Sequence, residues 1–447
     1  MRTPISQLSF GFLGRKQVVG AFDGGALSSD GGLMLVAKAD QQLGLTAKLS
    51  SFLCDGRDST KVKHQLREML MQRVYQIACG YEDCNDADDL RSDPMFKTAI
   101  GRLPQTGRDL ASQPTLSRFE NSVTRTQLRR MAEVFVDLFV KQYAGTPPTK
   151  ITLDFDATDD ETHGQQQFSA FNGFYDEHCY LPLIVTAQVQ GGPHELLVAM
   201  LRPGNSHGAR YALATLERLE ARLRAVWPKV AIVLRGDNAF AGPEILDWCD
   251  ENHVGYLLNL APNSRVLALA EPYMVQARAE YEASGEKVRH FHEVSYAAKS
   301  WPRERRVVVK AEVMTDGDNP RFVVTHLVEG DPEQLYDEYA MRGDMENRIK
   351  ELKNYLKMDR TSCHNFVANQ FRVLLHAAAF CLLSHMRKAL RRTRLQDAQA
   401  CTLQRHLLKL GVRVTETVRR VWLHFASSCP AQDLWPVLLD RLQTALT

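Results

Sequence analysis

The sequence predicts an α/β chain, with a mixed sheet in its middle and mainly helical segments before and after it. Three observations predict this. Residues 150–158, KITLDFDAT, alternate apolar and polar side chains with the period of a strand. From there to residue 260, strand-like and helix-like stretches follow in the order strand, hairpin, helix, strand, helix, strand, as a layered α/β domain requires. Over residues 31–143 and again after residue 366, apolar residues recur mainly every three or four positions, which places them on one face of a helix.

Taken in chain order, residues 31–143 are expected to be helical, with KVKHQLREMLMQRVYQIACG (61–80) the clearest amphipathic stretch. Turn-forming residues around 103–120 predict a loop there, and AGTPPTK (144–150) breaks the helical pattern at a domain boundary. CYLPLIVTAQVQGGPHELLVAMLRPG (179–204) reads as a hairpin turning at Gly191 and Gly192. YALATLERLEARLRAVW (211–227) is a helix, KVAIVLRGD (229–237) a buried strand, GPEILDWCDENH (242–253) a helix and VGYLLNL (254–260) a strand. Residues 264–330 interrupt this order with one helical piece and β-rich segments such as RRVVVKAEVM and RFVVTHLV. The predicted organisation is therefore a mainly helical N-terminal region, 1–149; a sheet-forming core, 150–263; a β-rich insertion, 264–330; a returning helix, 331–360; and a helical, basic C-terminal region, 361–447.

With 447 residues, 44% of them hydrophobic and 24% charged, the chain can bury a large core and form several domains. No uninterrupted run of 18 apolar residues occurs, and the first residues lack the hydrophobic segment of a signal peptide, so a cytoplasmic protein with no membrane partner is expected. Nine scattered cysteines without a C-x-x-C pair predict neither a zinc site nor a disulfide framework. The net charge of +2 hides an uneven distribution. Residues 1–150 carry 20 basic against 16 acidic side chains, residues 151–360 carry 23 against 33, and residues 361–447 carry 12 against 4. An acidic centre between basic ends suits a carboxylate metal site flanked by segments that hold a polyanion.

The acids of the centre stand where such a site would form. Asp154 and Asp156 share one face of their strand, because side chains alternate with period two, and Asp237 follows a run of buried-strand residues directly. Ligands of open α/β sheets gather at the carboxyl ends of strands. A third acid lies in YAMRGDMENRIKELKN (339–354). On an ideal helix Tyr339, Arg342, Glu346 and Lys353 fall within about 60° of one another, beside an apolar stripe of Met341, Met345, Ile349, Leu352 and Leu356. A salt-bridged surface face would give the same residues. Three converging carboxylates repel one another unless a cation sits between them, and hard divalent ions such as Mg²⁺ prefer carboxylate, water and phosphate oxygens. One or two such ions could activate a water or hydroxyl against a phosphodiester.

Asp156 with Thr158 after one strand, Asp237 followed by NAF after a second, a β-rich insertion, and the spacing Y-x2-R-x3-E-x6-K together resemble the DDE transposases of bacterial insertion sequences. DATDDETHGQQQFSAFNGFYDEHCYLPL and LRPGNSHG resemble the group-one branch of that class. The resemblance implies an RNase H-like catalytic core and Mg²⁺-dependent cleavage and strand transfer of DNA, with Mn²⁺ able to substitute. It implies Asp156, Asp237 and Glu346 as catalytic metal ligands, with Asp154 an alternative to Asp156. Arg342 and Lys353 would contact transposon-end phosphates, with Tyr339 in the same site. The partners implied are the terminal inverted repeats, which the helical region 1–149 is expected to bind as a DNA-binding region, target DNA and a second copy of the chain in a synaptic homodimer.

Two other readings compete. LDFDATDD also fits the strand end of a haloacid dehalogenase-type phosphatase, with Asp154 as nucleophile and Asp156 as acid and base, on a parallel doubly wound sheet. The second is a catalytically inactive, transposase-derived DNA-binding protein. His163, His194, His207 and His364 show no ligand spacing.

Overall fold

A computed structural model describes residues 7–443, which form two compact units. One unit comprises residues 132–353 and 361–373; the other comprises, among the described residues, 7–131, 354–360 and 374–443. Helix Phe366–Ala389 is, among the described residues, the one long and apolar enough to cross a membrane by length and composition, and 78% of its apolar window is buried inside the protein.

The first unit is built on a nine-stranded mixed sheet. Its long strands are β1 (Lys150–Ala157), β2 (Leu183–Val189), β3 (His194–Met200), β4 (Ala231–Gly236), β5 (Gly255–Asn259), β6 (Val288–Tyr296), β7 (Arg305–Met314) and β8 (Arg321–Thr325), in the spatial order β6-β7-β8-β5-β4-β1-β2-β3. β1, β2 and β3 form an antiparallel meander, β4 and β5 add in parallel beside β1, and the antiparallel strands β8, β7 and β6 extend the sheet beyond β5. The hairpin between β2 and β3 turns through Gln190 and Gly191, both with positive φ. The β-rich insertion is thus part of the same sheet.

The central strands are buried on both faces, and each face has its own partner. Ile151, Leu153 and Phe155 of β1 join the main apolar cluster with Leu216, Leu219 and Leu223 of α1 (Ala212–Val226) and Ile245, Leu246 and Cys249 of α2 (Pro243–Glu251). The opposite face carries Val233, Leu257, Val308 and Val323, covered by Leu335 of α4 (Pro332–Ala340). Helix α3 (Ser264–Ser284) packs on the insertion strands through Met274 and Ala277. A closely packed side chain of leucine size is worth about 1.5–3 kcal/mol, so these two layers hold the strand ends in place.

Residues 339–354 do not form one regular helix. α4 ends at Ala340, α5 runs over Arg342–Lys350 after a one-residue break at Met341, and a π-type turn follows over Glu351–Tyr355. The break turns Met341 out of the expected apolar stripe, leaving it 41% exposed, while Met345, Ile349, Leu352 and Leu356 are buried.

The second unit is largely helical up to residue 122, as expected. Helix Leu66–Ala78 opens with a capping box between Gln65 and Glu68, and its Arg73 makes a fully buried ion pair with Glu120. Two expectations fail there. Residues Gln113–Ser122 form a helix where a loop was expected, because Pro114 sits in the first turn and Leu116 and Phe119 are buried. The C-terminal region is not wholly helical either: Val412–Glu416 and Val421–Phe425 pair antiparallel, with Leu27–Ser28 beside them. VRVTE alternates with period two, and its Val412 and Val414 point into an apolar cluster with Met95. Leu8–Leu13 and Lys16–Gly20 form a further hairpin.

Candidate functional site

Strand register brings the first two acids together. β4 runs parallel to β1 with Arg235 opposite Asp154 and Gly236 opposite Phe155, so Asp237 emerges beside Asp156 where both strands end. Gly236 suits the last ladder position because a Cβ there would stand 2.8 Å from the Phe240 ring. Asp237 then caps the short turn Asn238–Phe240, accepting the Ala239 N–H at 2.9 Å.

Asp154 and Asp156 share a face but not an environment. Asp154 is fully buried and takes both arms of the Arg235 guanidinium, at 2.5 and 2.9 Å. Arg235 also donates to Gln188 and to the Glu338 carbonyl, so the pair is tied into the sheet and α4. His194 lies behind it, its Nδ1 3.5 Å from Asp154 and 3.0 Å from the Thr186 hydroxyl. Asp156, at the open end, is 8% exposed and accepts the N–H of Ala157 at 2.9 Å. Burial pushes its carboxyl up to about 6; Arg342 opposes that shift, and the charges of Asp237 and Glu346 add to it.

Helix α5 supplies the third acid and a cation. Arg342 and Glu346 are one turn apart, and the Arg342 guanidinium donates to Glu346 at 2.5 Å and to Asp156 at 2.9 Å. It therefore joins a helix carboxylate to a strand-end carboxylate. Arg342 Nε is buried without a hydrogen-bond partner among the described residues. Burial pushes the Tyr339 hydroxyl up to about 12, with Arg342 opposing and Tyr336, Asp237 and Glu346 adding. Asp156, Asp237, Glu346, Arg342 and Tyr339 thus occupy one electrostatic neighbourhood. Lys353, displaced by the π-type turn, instead reaches Asp159 at 2.8 Å, on the segment that leaves β1.

Sequence reasoning missed Asp159, Arg235 and Tyr175. Tyr175 donates toward the Ala157 carbonyl at 3.5 Å, and its hydroxyl is pushed up to about 12 by burial, then by Asp159, Asp156 and Asp237. Arg235 was legible: two residues before Asp237, it shares that residue's strand face. Nothing in the sequence alone places Tyr175, which reaches the site from the hairpin of Ala170–Asn172 and Glu177–Tyr180.

Among the described residues, no three His, Cys, Asp or Glu side chains are drawn together closely enough to hold one metal ion. The acids are held apart and partly neutralised by Arg342. As a donor set they are hard carboxylate oxygens, suited to Mg²⁺ rather than to zinc. Compared with known families, residues 10–447 match the family described as transposase DDE domain, group 1. No curated protein is similar enough to match.

Proposed function

The chain belongs to the group-one DDE transposases, and from that premise we propose that it cleaves DNA at transposon ends and joins those ends to a target, using Asp156, Asp237 and Glu346. The observation that carries this reading is Arg342, whose one guanidinium grips a strand-end and a helix carboxylate beside a second strand-end acid. The meander β1–β3 followed by parallel β4 and β5 supports an RNase H-like core for that reading.

Asp156, Asp237 and Glu346 would hold Mg²⁺, or Mn²⁺ in its place, which supplies activation of a water or 3′-hydroxyl and stabilisation of the leaving oxygen. The chain's own groups do the rest. Arg342, released from its carboxylates, turns its two-armed donor toward a phosphate, for which a guanidinium is well shaped. Lys353 exchanges Asp159 for a phosphate on the same strand, and the buried Tyr339 hydroxyl stays neutral and able to donate. Asp154 serves as a support: its bidentate pair with Arg235 fixes the strand ends, and its full burial leaves Asp156 the better metal ligand. Recognition of inverted repeats, and synapsis by a homodimer, follow from the family reading.

The phosphatase reading loses its basis, because its nucleophile would be the buried, paired Asp154 and its sheet would be parallel rather than mixed. An inactive DNA-binding relative would keep the fold but not the chemistry. The deciding assay is divalent-ion-dependent nicking of a supercoiled plasmid carrying this gene with its flanking DNA. Wild-type protein should nick it, and Asp156→Asn or Asp237→Asn should lower the rate by about 10³-fold or more, as removal of a metal ligand would. Nicking retained in both variants would contradict the assignment.

A further inference from the structure

The face that bears the acids continues across the insertion, and it carries a charge the chemistry does not use. Register links Asp154 to Arg235, Leu257, Thr325 and Arg306 across five strands, so Asp156, Asp237, Lys310 and Glu312 share one face. β8 begins at the edge where β4 and β5 end, which sets Arg321 and Lys310 opposite each other at the same edge as Asp237. One ladder step further, Arg289 of β6 stands opposite Glu312.

Three cations converge on that one carboxylate. Lys287 reaches Glu312 at 2.8 Å, Arg289 at 3.0 Å and Lys310 at 2.7 Å, while the Glu312 side chain is 2% exposed. Arg321, beside them, is exposed and has no ion pair among the described residues. Four cations against the buried Glu312 and the nearby Asp337 of α4 leave a local excess of two positive charges, more than a structural ion pair needs. Asp318, at the adjacent turn, is itself held by Arg278 at 2.8 Å.

The cluster is connected to the acids by aromatic rings. Lys310 lies 5.4 Å from the Tyr336 ring centre, Tyr336 lies 6.1 Å from Tyr339, and Tyr339 borders Arg342. At about 4.8 Å per strand and about 3.3 Å per residue, the cations stand about 12–28 Å from Asp237, Arg321 nearest and Lys287 farthest. At about 3.4 Å of rise per nucleotide, that corresponds to about three to eight nucleotides.

We propose that the exposed Lys287, Arg289 and Arg321, over the buried Lys310–Glu312 pair, form a phosphate clamp that grips the DNA backbone about three to eight nucleotides from the bond being cut. This rests on the transposase reading. The clamp reads no sequence, because phosphate contacts position a duplex without choosing bases. It gives the β-rich insertion a task, holding the duplex in line with the strand ends.

The test is equilibrium binding to a labelled duplex of arbitrary sequence, about 40 base pairs long, followed by anisotropy between about 50 and 200 mM salt. Each lost phosphate contact lowers the slope of log K against log salt by about 0.9. The combined variant Lys287→Ala, Arg289→Ala, Arg321→Ala should therefore bind with a slope shallower by about 2–3, and Arg321→Ala alone by about 1. A charge-matched control, Arg218→Ala, Arg222→Ala, Lys229→Ala, alters α1 and the loop after it, on the other face of the sheet, and should keep the wild-type slope. A wild-type slope in the clamp variants, or an equal loss in the control, would overturn the clamp while leaving the transposase reading in place. If the wild-type protein shows no salt-dependent duplex binding at all, the transposase reading itself fails.

Discussion

Arg342 partly neutralises two carboxylates, Asp156 at a strand end and Glu346 on α5, that would otherwise repel, and its geometry makes the site self-screening in the absence of other cations. Arg342→Ala should therefore tighten Mn²⁺ binding by DNA-free protein, by about tenfold or about 1.4 kcal/mol, in a calorimetric titration. Unchanged or weaker binding would show that the guanidinium does not compete for those oxygens. A second prediction concerns His194, which burial, reinforced by Arg235 and Arg348, holds down at about 4, against an ordinary 6.5. The unfolded chain then binds a proton that the native imidazole refuses between about pH 6.5 and 4, so stability is complete above that window and falls as pH drops through it. The loss is at most about 3 kcal/mol. His194→Gln should flatten the pH dependence of urea unfolding between pH values of about 7 and 4.5; an unchanged slope would place the titration elsewhere. At this scale the acids were legible because strand alternation and helical spacing are local rules. His194 passed as unremarkable because its role depends on Asp154 and Thr186, reached through strand pairing.

The site depends on elements that tolerate little change. Gly204, in LRPGNSHG, is packed so closely that a Cβ would stand 2.0 Å from the Cys179 carbonyl and 2.6 Å from that of Ala170, while its own carbonyl accepts Asn172 at 2.9 Å. Gly204→Ala must push apart the hairpin that carries Tyr175 and should cost about 1–3 kcal/mol or more in chemical denaturation. Gly173→Ala meets nothing within 4 Å and should stay within about 0.5 kcal/mol of wild type. Equal losses would contradict the packing account. The wedge of Tyr339, Arg342, Glu346 and Lys353 assumed an unbroken α-helix, whereas the chain breaks at Met341 and widens at Glu351–Tyr355, which keeps Arg342 with Glu346 but carries Lys353 to Asp159. The strands at Val412–Glu416 and Val421–Phe425 went unread because they are short and follow a long helical stretch, so their alternation spans too few residues to outweigh the helical context.

For the unit of residues 132–353 and 361–373, one sheet carries Asp156 and Asp237 at its strand ends, while helix α5 adds Glu346, and the same sheet presents the cations proposed to guide DNA toward them. Its strand order was only partly legible: the sequence separates β-rich residues 264–330 as an insertion, but only long-range pairing of β8 with β5 shows that it extends the core sheet. The group-one match over residues 10–447 makes the transposase account one of nearly the whole chain. Its central claim is that Glu346 serves chemistry rather than structure, and Glu346→Gln tests it most directly, since the amide keeps size and hydrogen bonding but loses the charge that holds a divalent ion. The measurement pairs Mg²⁺-dependent nicking of the plasmid bearing the gene's flanking DNA with equilibrium binding to the same DNA. The account predicts binding within about twofold of wild type and nicking reduced by about 10³-fold or more. Nicking at the wild-type rate by the Glu346→Gln protein would contradict it.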